Sequence, residues 1–201
     1  YHSQIRTFTA NHGVLEPTQT YTTDFDLSVE QLQSILSEDF VRQLDKVFAC
    51  GTFGDPTANK DCLEIFEWFR SINPNITLGM NTNGGLQAPY WWANLANVLY
   101  KPTDYVVFSI DGLEDTNHIY RKNVSWDRVM RNAETFIAAG GNAQWDMLVY
   151  KHNEHQVEAC EKLAKEMGFG WFRAKVSKRE STVDWLQQPK GWTRPVIKQG
   201  P

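Results

Sequence analysis

The chain has 201 residues, a net charge of −4, 22% charged and 41% hydrophobic residues, enough to bury roughly 70% of its unfolded surface in one domain without disulfides. The mild acidity argues against a bulk nucleic-acid binder, which shows a basic stripe, and no apolar run approaches the roughly 20 residues of a membrane span. Its three cysteines, Cys50, Cys62 and Cys160, form no CxxC pair, so neither a zinc ribbon nor a disulfide scaffold is indicated. No signal peptide is read at the start, and cytoplasmic thiols are the expectation.

Residues 1–27 carry little periodicity and read as an extended surface segment. Ser28, with Gln31 three residues on, forms a capping box before the helical spacing Leu32, Ile35, Leu36. Phe40, Val41 and Leu44 continue a second short amphipathic piece. A strand over Lys46–Cys50 follows, then a helix over Asp61–Ser71 with Leu63, Ile65, Phe66 and Phe69 on one stripe. The next strand is Ile76–Met80 and the next helix Trp91–Leu99, where Trp91 and Trp92 read as packing residues. Strand Tyr105–Ile110 leads through Asp111-Gly112 and a short loop to the helix Trp126–Ala139, closed by Gly140-Gly141. Strand Ala143–Tyr150, helix Glu154–Met167 and strand Trp171–Val176 complete the series. Polar residues and prolines dominate 179–201, an irregular tail. Residues 28–178 therefore form one domain of alternating strands and helices, which implies a parallel sheet with right-handed crossovers.

Three of the strands end in polar, glycine-bearing turns: Gly51-Thr52-Phe53-Gly54-Asp55-Pro56, Asn81-Thr82-Asn83-Gly84-Gly85 and Asp111-Gly112. In α/β proteins chemistry collects at such strand ends. Side-chain alternation sharpens this. Thr77, Gly79, Asn81 and Asn83 oppose Ile76, Leu78 and Met80, and Ser109 and Asp111 oppose Val106, Phe108 and Ile110. Gln144 and Asp146 oppose Trp145, Met147 and Val149, and Arg173 and Lys175 oppose Phe172, Ala174 and Val176. Each strand thus has an apolar face for helices and a polar face. A closed eight-stranded barrel fills its interior with apolar side chains, and a polar interior is costly unless wet or hydrogen-bonded. The pattern fits an incomplete, open TIM-like barrel around a polar ligand.

At these turns the sequence resembles the radical S-adenosylmethionine (SAM) superfamily, in its maturase-like, SPASM-like branch. Gly51–Pro56 is similar to that family's Gly-Gly-Glu-Pro motif, Asn81-Thr82-Asn83-Gly84 to its Thr-Asn-Gly turn, and Phe108-Ser109-Ile110-Asp111-Gly112 with Tyr120-Arg121 to its Ser-Ile-Asp-Gly…Tyr-Arg pattern. Asn153-Glu154-His155-Gln156, with Leu163-Ala164-Lys165 and Gly168, matches the helix after strand five. The resemblance covers residues 28–178. It implies a partial (β/α)6 barrel with five of six strands, the first one missing, that binds SAM across its strand ends and, in an intact enzyme, cleaves it reductively to a 5′-deoxyadenosyl radical. It implies a [4Fe-4S] cluster as well, held by a CxxxCxxC loop of three thiolates. This chain has no cysteine before Cys50. It starts at Tyr1 and ends in Gly200-Pro201, and truncation just past the cluster loop is the expected explanation, with a degenerate, cluster-free homologue as the other. Either way this chain alone is not expected to do radical chemistry.

Carried onto these positions, the resemblance assigns Phe53, Gly54, Asp55 and Pro56 to the SAM amino group, against the plainer reading of a tight turn. Asn81 and Asn83 suit a carboxylate or ribose hydroxyls, or serve a turn. Ser109 stands on the polar face at a strand end. Asp111 is read as bonding ribose or substrate, or capping its turn, and Arg121 as pairing with the SAM carboxylate, or lying on the surface. Gln144, Asp146, Arg173 and Lys175 are candidates for the substrate side, or a self-satisfied charge network. His152-Asn153-Glu154-His155 is not HExxH, and no metal ligand is assigned; no catalytic residue is named. The expected partners are a small-molecule cofactor and a peptide or protein substrate, with no nucleic acid and no membrane. A cluster-less module binding a ligand or partner, and a metal-free TIM-like enzyme acting on a phosphorylated metabolite, are the alternatives.

Overall fold

The Ser28 hydroxyl accepts from the Gln31 backbone N–H at 3.2 Å, and the Ser28 N–H donates to Gln31 Oε1 at 2.9 Å. This closed capping box starts helix α1 (Val29–Ile35), and Ser37 in the same way caps α2 (Glu38–Val41). The computed structural model describes residues 4–11, 14–22, 26–51, 54–176, 187 and 189. Before α1 stand β1 (Gln4–Asn11) and β2 (Val14–Thr22), an antiparallel pair in which Asn11 faces Val14. The segment read as an extended surface stretch thus contains two paired strands. Its sequence is rich in threonine and other β-branched or aromatic residues, which favour strands without producing an apolar period.

Five parallel strands follow: β3 (Lys46–Ala49), β4 (Thr77–Thr82), β5 (Tyr105–Ser109), β6 (Ala143–Val149) and β7 (Trp171–Val176). Each lies beside its predecessor in the order β3-β4-β5-β6-β7. Helices α3 (Cys62–Ile72), α4 (Pro89–Val98), α6 (Trp126–Ala138) and α7 (Val157–Met167) make the crossovers. This singly wound order is that of a partial TIM-like barrel. Pro89 opens α4, where its missing N–H costs nothing, and Gly168 closes α7 at φ 87°.

A second element departs from the sequence reading. The stretch after Asp111-Gly112 holds a further helix, α5 (Glu114–Tyr120). It buries Thr116 and Asn117 rather than an apolar stripe, so it leaves no helical period to read.

The apolar strand faces and the helices make one core. Trp92 is fully buried, its ring centroid 5.2 Å from Phe108 and 6.4 Å from Phe136. Trp145 sits 5.4 Å from Phe169 and 5.9 Å from Phe172. Burying aromatic rings this large is the main stabilising term. At the strands' N-terminal edge, Arg70 pairs with fully buried Asp104 and also donates to the carbonyls of Pro74, Ile76 and Val98. Asp104 accepts the N–H groups of Leu78 and Lys101. That end is sealed.

Candidate functional site

Because the strands are parallel, all their C-terminal ends meet on one edge, and a hollow of about 560 Å³ opens there. The turn after β3 supplies Cys50, Gly51, Gly54 and Asp55, the turn after β4 Asn81, Thr82 and Asn83, the end of β5 Ser109, and the end of α5 Arg121. The first turn folds tightly on itself: a Cβ on Gly51 would lie 2.2 Å from the Gly54 carbonyl oxygen, so only glycine fits.

Asp55 serves as a clamp. Its carboxylate accepts from Thr57 N–H at 3.0 Å, Thr57 Oγ1 at 2.6 Å, Thr82 Oγ1 at 2.9 Å and Asn83 N–H at 2.6 Å. These bonds use its acceptor sites to lock the β3 turn against the β4 turn. Pro56 opens a short 3₁₀ turn, Pro56–Ala58, behind the wall. Phe53 lies outside the described residues.

Asn83 Oδ1 accepts the Gly85 N–H at 2.8 Å, and its NH₂ has no hydrogen bond among the described residues. Asn81 and Ser109 are half-buried, line the hollow, and have no side-chain hydrogen bond among the described residues. Half-buried amides and hydroxyls without a protein partner are left to bond water or a ligand.

Asp111 does not line the hollow. It is fully buried; its Oδ2 accepts from Arg121 Nε at 2.6 Å and its Oδ1 from the Leu148 N–H at 2.6 Å. Asn117 and Asn153 hold its backbone N–H and carbonyl, each at 2.8 Å. Burial pushes the Asp111 carboxyl up, while the Arg121 guanidinium and the Leu148 N–H pull it back. Its visible effect is to aim Arg121, whose guanidinium lies 5.1 Å from the Tyr120 ring centroid and whose remaining N–H groups make no hydrogen bond among the described residues. The Asn153-Glu154-His155-Gln156 stretch is part of this support, since Gln156 accepts from Leu113 N–H and Thr116 Oγ1. His152 stacks on Tyr150.

The substrate-side candidates share the concave face but stand beside the hollow. Pairing in register sets Ser109 against Asp146 and Asp146 against Arg173, and one step lower Asn81, Val107, Gln144 and Trp171 in a row. Asp146 accepts from Arg173 Nε and Nη2 at 2.8 and 2.5 Å and from Lys175 Nζ at 2.8 Å. Burial alone would raise the Asp146 carboxyl, but these two cations hold it below its ordinary value, and Asp146 in turn raises Arg173. Cys50 and Thr82 line the hollow without having been singled out as site residues. Their position at a strand end and in the Thr-Asn-Gly turn was the available signal.

Residues 11–165 match the radical SAM superfamily. The chain belongs to that superfamily. Its members use SAM and a [4Fe-4S] cluster. Comparison with curated protein sequences gives no match. Among solved structures, SuiB of Streptococcus suis bound to precursor peptide SuiA is similar at 18% identity and a TM-score of 0.58, covering 87% of this chain and 38% of SuiB. The enzyme anSMEcpe with bound AdoMet and Kp18Cys peptide has 18% identity and a TM-score of 0.60, with 83% and 48% covered. A radical SAM methyltransferase from Sphaerobacter thermophilus has 12% identity and a TM-score of 0.52, with 81% and 50% covered. The chain spans half or less of the length of these three. At such identities the likeness is one of fold.

The residues present fit SAM better than they fit its cluster. Unpartnered amide, hydroxyl and guanidinium groups around one hollow suit an amino acid and a ribose. The cysteines suit no cluster: Cys50 is exposed at a strand end, while Cys62 and Cys160 are buried on separate helices with thiols pushed by burial to about 12. Among the described residues no group of three His, Cys, Asp or Glu is placed to hold a metal. Likewise, no helix among them is long and apolar enough to cross a membrane.

Proposed function

We propose that this chain supplies the SAM-binding wall of a radical SAM enzyme of the maturase-like branch and binds SAM without cleaving it, because its cysteines do not make a cluster site. The observation that carries this is the convergence of unpartnered Asn81, Ser109 and the free edge of Arg121 on one hollow at the strand ends. In this reading Arg121, held by Asp111, takes the methionyl carboxylate through charge-assisted hydrogen bonds. Asn81, Asn83 and Ser109 bond ribose hydroxyls, and the Gly54–Asp55 turn, braced by the Asp55 clamp, offers backbone groups to the amino end. In an enzyme that also holds the cluster, SAM bound here would supply a sulfonium whose carbon–sulfur bond would break on accepting one electron. The contribution of these residues is to fix its orientation and exclude water. The cysteine placement also favours a second reading, a cluster-less module that holds the ligand as such.

A peptide or protein is the substrate class in this proposal. It is supported by the peptide complexes of SuiB and anSMEcpe and by a polar concave wall that continues past the hollow to Gln144 and Asp146.

Calorimetric titration of the iron-free chain with SAM tests the site. Saturable binding, weakened about tenfold or more (about 1.4 kcal/mol) by Asn81→Ala and by Ser109→Ala, is expected. No binding, or affinity unchanged in both variants, overturns the assignment.

A further inference from the structure

Among the described residues, the concave wall carries a cation more than its one shared carboxylate neutralises. Asp146 is 8% exposed and is contacted by two cations, Arg173 and Lys175. One carboxylate neutralises one of them. The Arg70–Asp104 pair shows what a purely structural pair looks like in this same chain: one cation, one anion, and guanidinium N–H groups also spent on carbonyls. Among the described residues Arg173 spends only Nε and one Nη2 hydrogen, and Lys175 one of its three hydrogens. Both side chains stay well exposed, at 40% and 35%. Among the described residues the other charges on this wall have partners of their own, and Asp111 feels Lys175 through space without a hydrogen bond to it. Asp111 is matched by Arg121, Asp55 is used in its clamp, and Lys46 donates to the Tyr105 hydroxyl at 2.6 Å.

We infer that Arg173 and Lys175, splayed and fixed by Asp146, form a dock for an anionic group of the substrate, a carboxylate or a phosphate, at the side of the SAM hollow. This deepens the proposed function and rests on it. The geometry gives the reach: Ser109, Asp146 and Arg173 are register neighbours on adjacent strands. At about 4.8 Å per strand, the dock stands about 10 Å from the hollow's edge. That is a span of a few bonds, so the anion would anchor a part of the substrate away from the reacting atom. Arg173 offers a planar edge and Lys175 a second donor beside it, the combination that recognises a carboxylate or phosphate. Trp171, 44% exposed and on the same face of β7, adds an apolar flank.

The test is nitrogen-15 NMR of the full chain, following the Arg173 Nε–H and Trp171 Nε1–H signals during titration with sodium glutarate, sodium phosphate and, at matched ionic strength, sodium chloride. Saturable shifts with glutarate or phosphate, absent with chloride and weakened at least tenfold in Arg173→Gln and in Lys175→Met, are expected. The tighter of the two anions identifies the substrate group as carboxylate or phosphate. Shifts that merely follow ionic strength, or saturable shifts that persist unchanged in Lys175→Met, overturn the dock. Should Arg173→Gln not fold, Lys175→Met alone decides. A parallel SAM titration reads the Asn81 and Asn83 side-chain amides. If those stay silent while the anion shifts appear, the SAM site reading fails and the dock stands. If the amides respond and the anions give nothing, the dock fails alone.

Discussion

Both ends of this sheet carry a buried aspartate joined to an arginine, and the two pairs are built to different ends. At the N-terminal edge Arg70 and Asp104 are both buried, at 9% and 0% side-chain exposure. The guanidinium donates to three carbonyls besides Asp104, and Asp104 also accepts two backbone N–H groups. At the C-terminal edge Asp111 is equally buried, but Arg121 is 23% exposed and gives Asp111 only its Nε. The difference is one of saturation. A pair with four of five guanidinium hydrogens spent closes a barrel end, whereas a pair with one of five spent presents a charge to whatever enters.

The largest expected effect breaks the sealed end. Asp104→Ala leaves Arg70 buried without its counter-ion and should cost about 3–5 kcal/mol of stability, read as a lowered urea midpoint. SAM affinity of the protein that remains folded should be unchanged, and a comparable loss of affinity would remove the distinction between the two ends. Next, Asp111→Asn keeps the shape but takes the charge from behind Arg121. A stability loss of about 1–3 kcal/mol is expected from a weakened charged hydrogen bond, together with SAM binding weaker by about tenfold or more in calorimetry (about 1.4 kcal/mol). Arg121→Lys should lower SAM affinity by a similar factor at little cost in stability, because the charge is kept and the planar fork is lost. Equal affinity in that variant would show that the fork is unused.

The smallest effect is on pH dependence. Asp146 has its carboxyl held below the ordinary value by Arg173 and Lys175. A group depressed in the folded state stabilises it above the unfolded value of about 3.9 and loses that contribution as pH falls through the folded one. The stabilisation from Asp146 should therefore be present in full and unchanging between pH 7 and about pH 5. Carbon-13 titration of the Asp146 carboxyl should give a midpoint below the ordinary one, moving up in Lys175→Met. A midpoint at or above the ordinary value would contradict the network.

The strand order and the polar wall were legible because alternation and glycine turns are local properties. Asn81, Ser109 and Arg121 came to one hollow as the motif order implied. The roles of Asp55 and Asp111 were not legible. Asp55 is consumed by a Thr82 hydroxyl 27 positions away and Asp111 by the Leu148 N–H 37 positions away, and no local pattern encodes such partners. Helix α5 escaped notice because Thr116 and Asn117 face inward to hold a loop rather than to fill a core. Its polarity is the signature of support for the site.

A crystal structure of the chain soaked with SAM addresses the central claim most directly. The account predicts the methionyl carboxylate within hydrogen-bonding distance of the Arg121 Nη groups and the ribose against Asn81 and Ser109, with the Arg70–Asp104 end unchanged. SAM bound elsewhere on the molecule, with Asn81, Ser109 and Arg121 all still facing solvent, would contradict it.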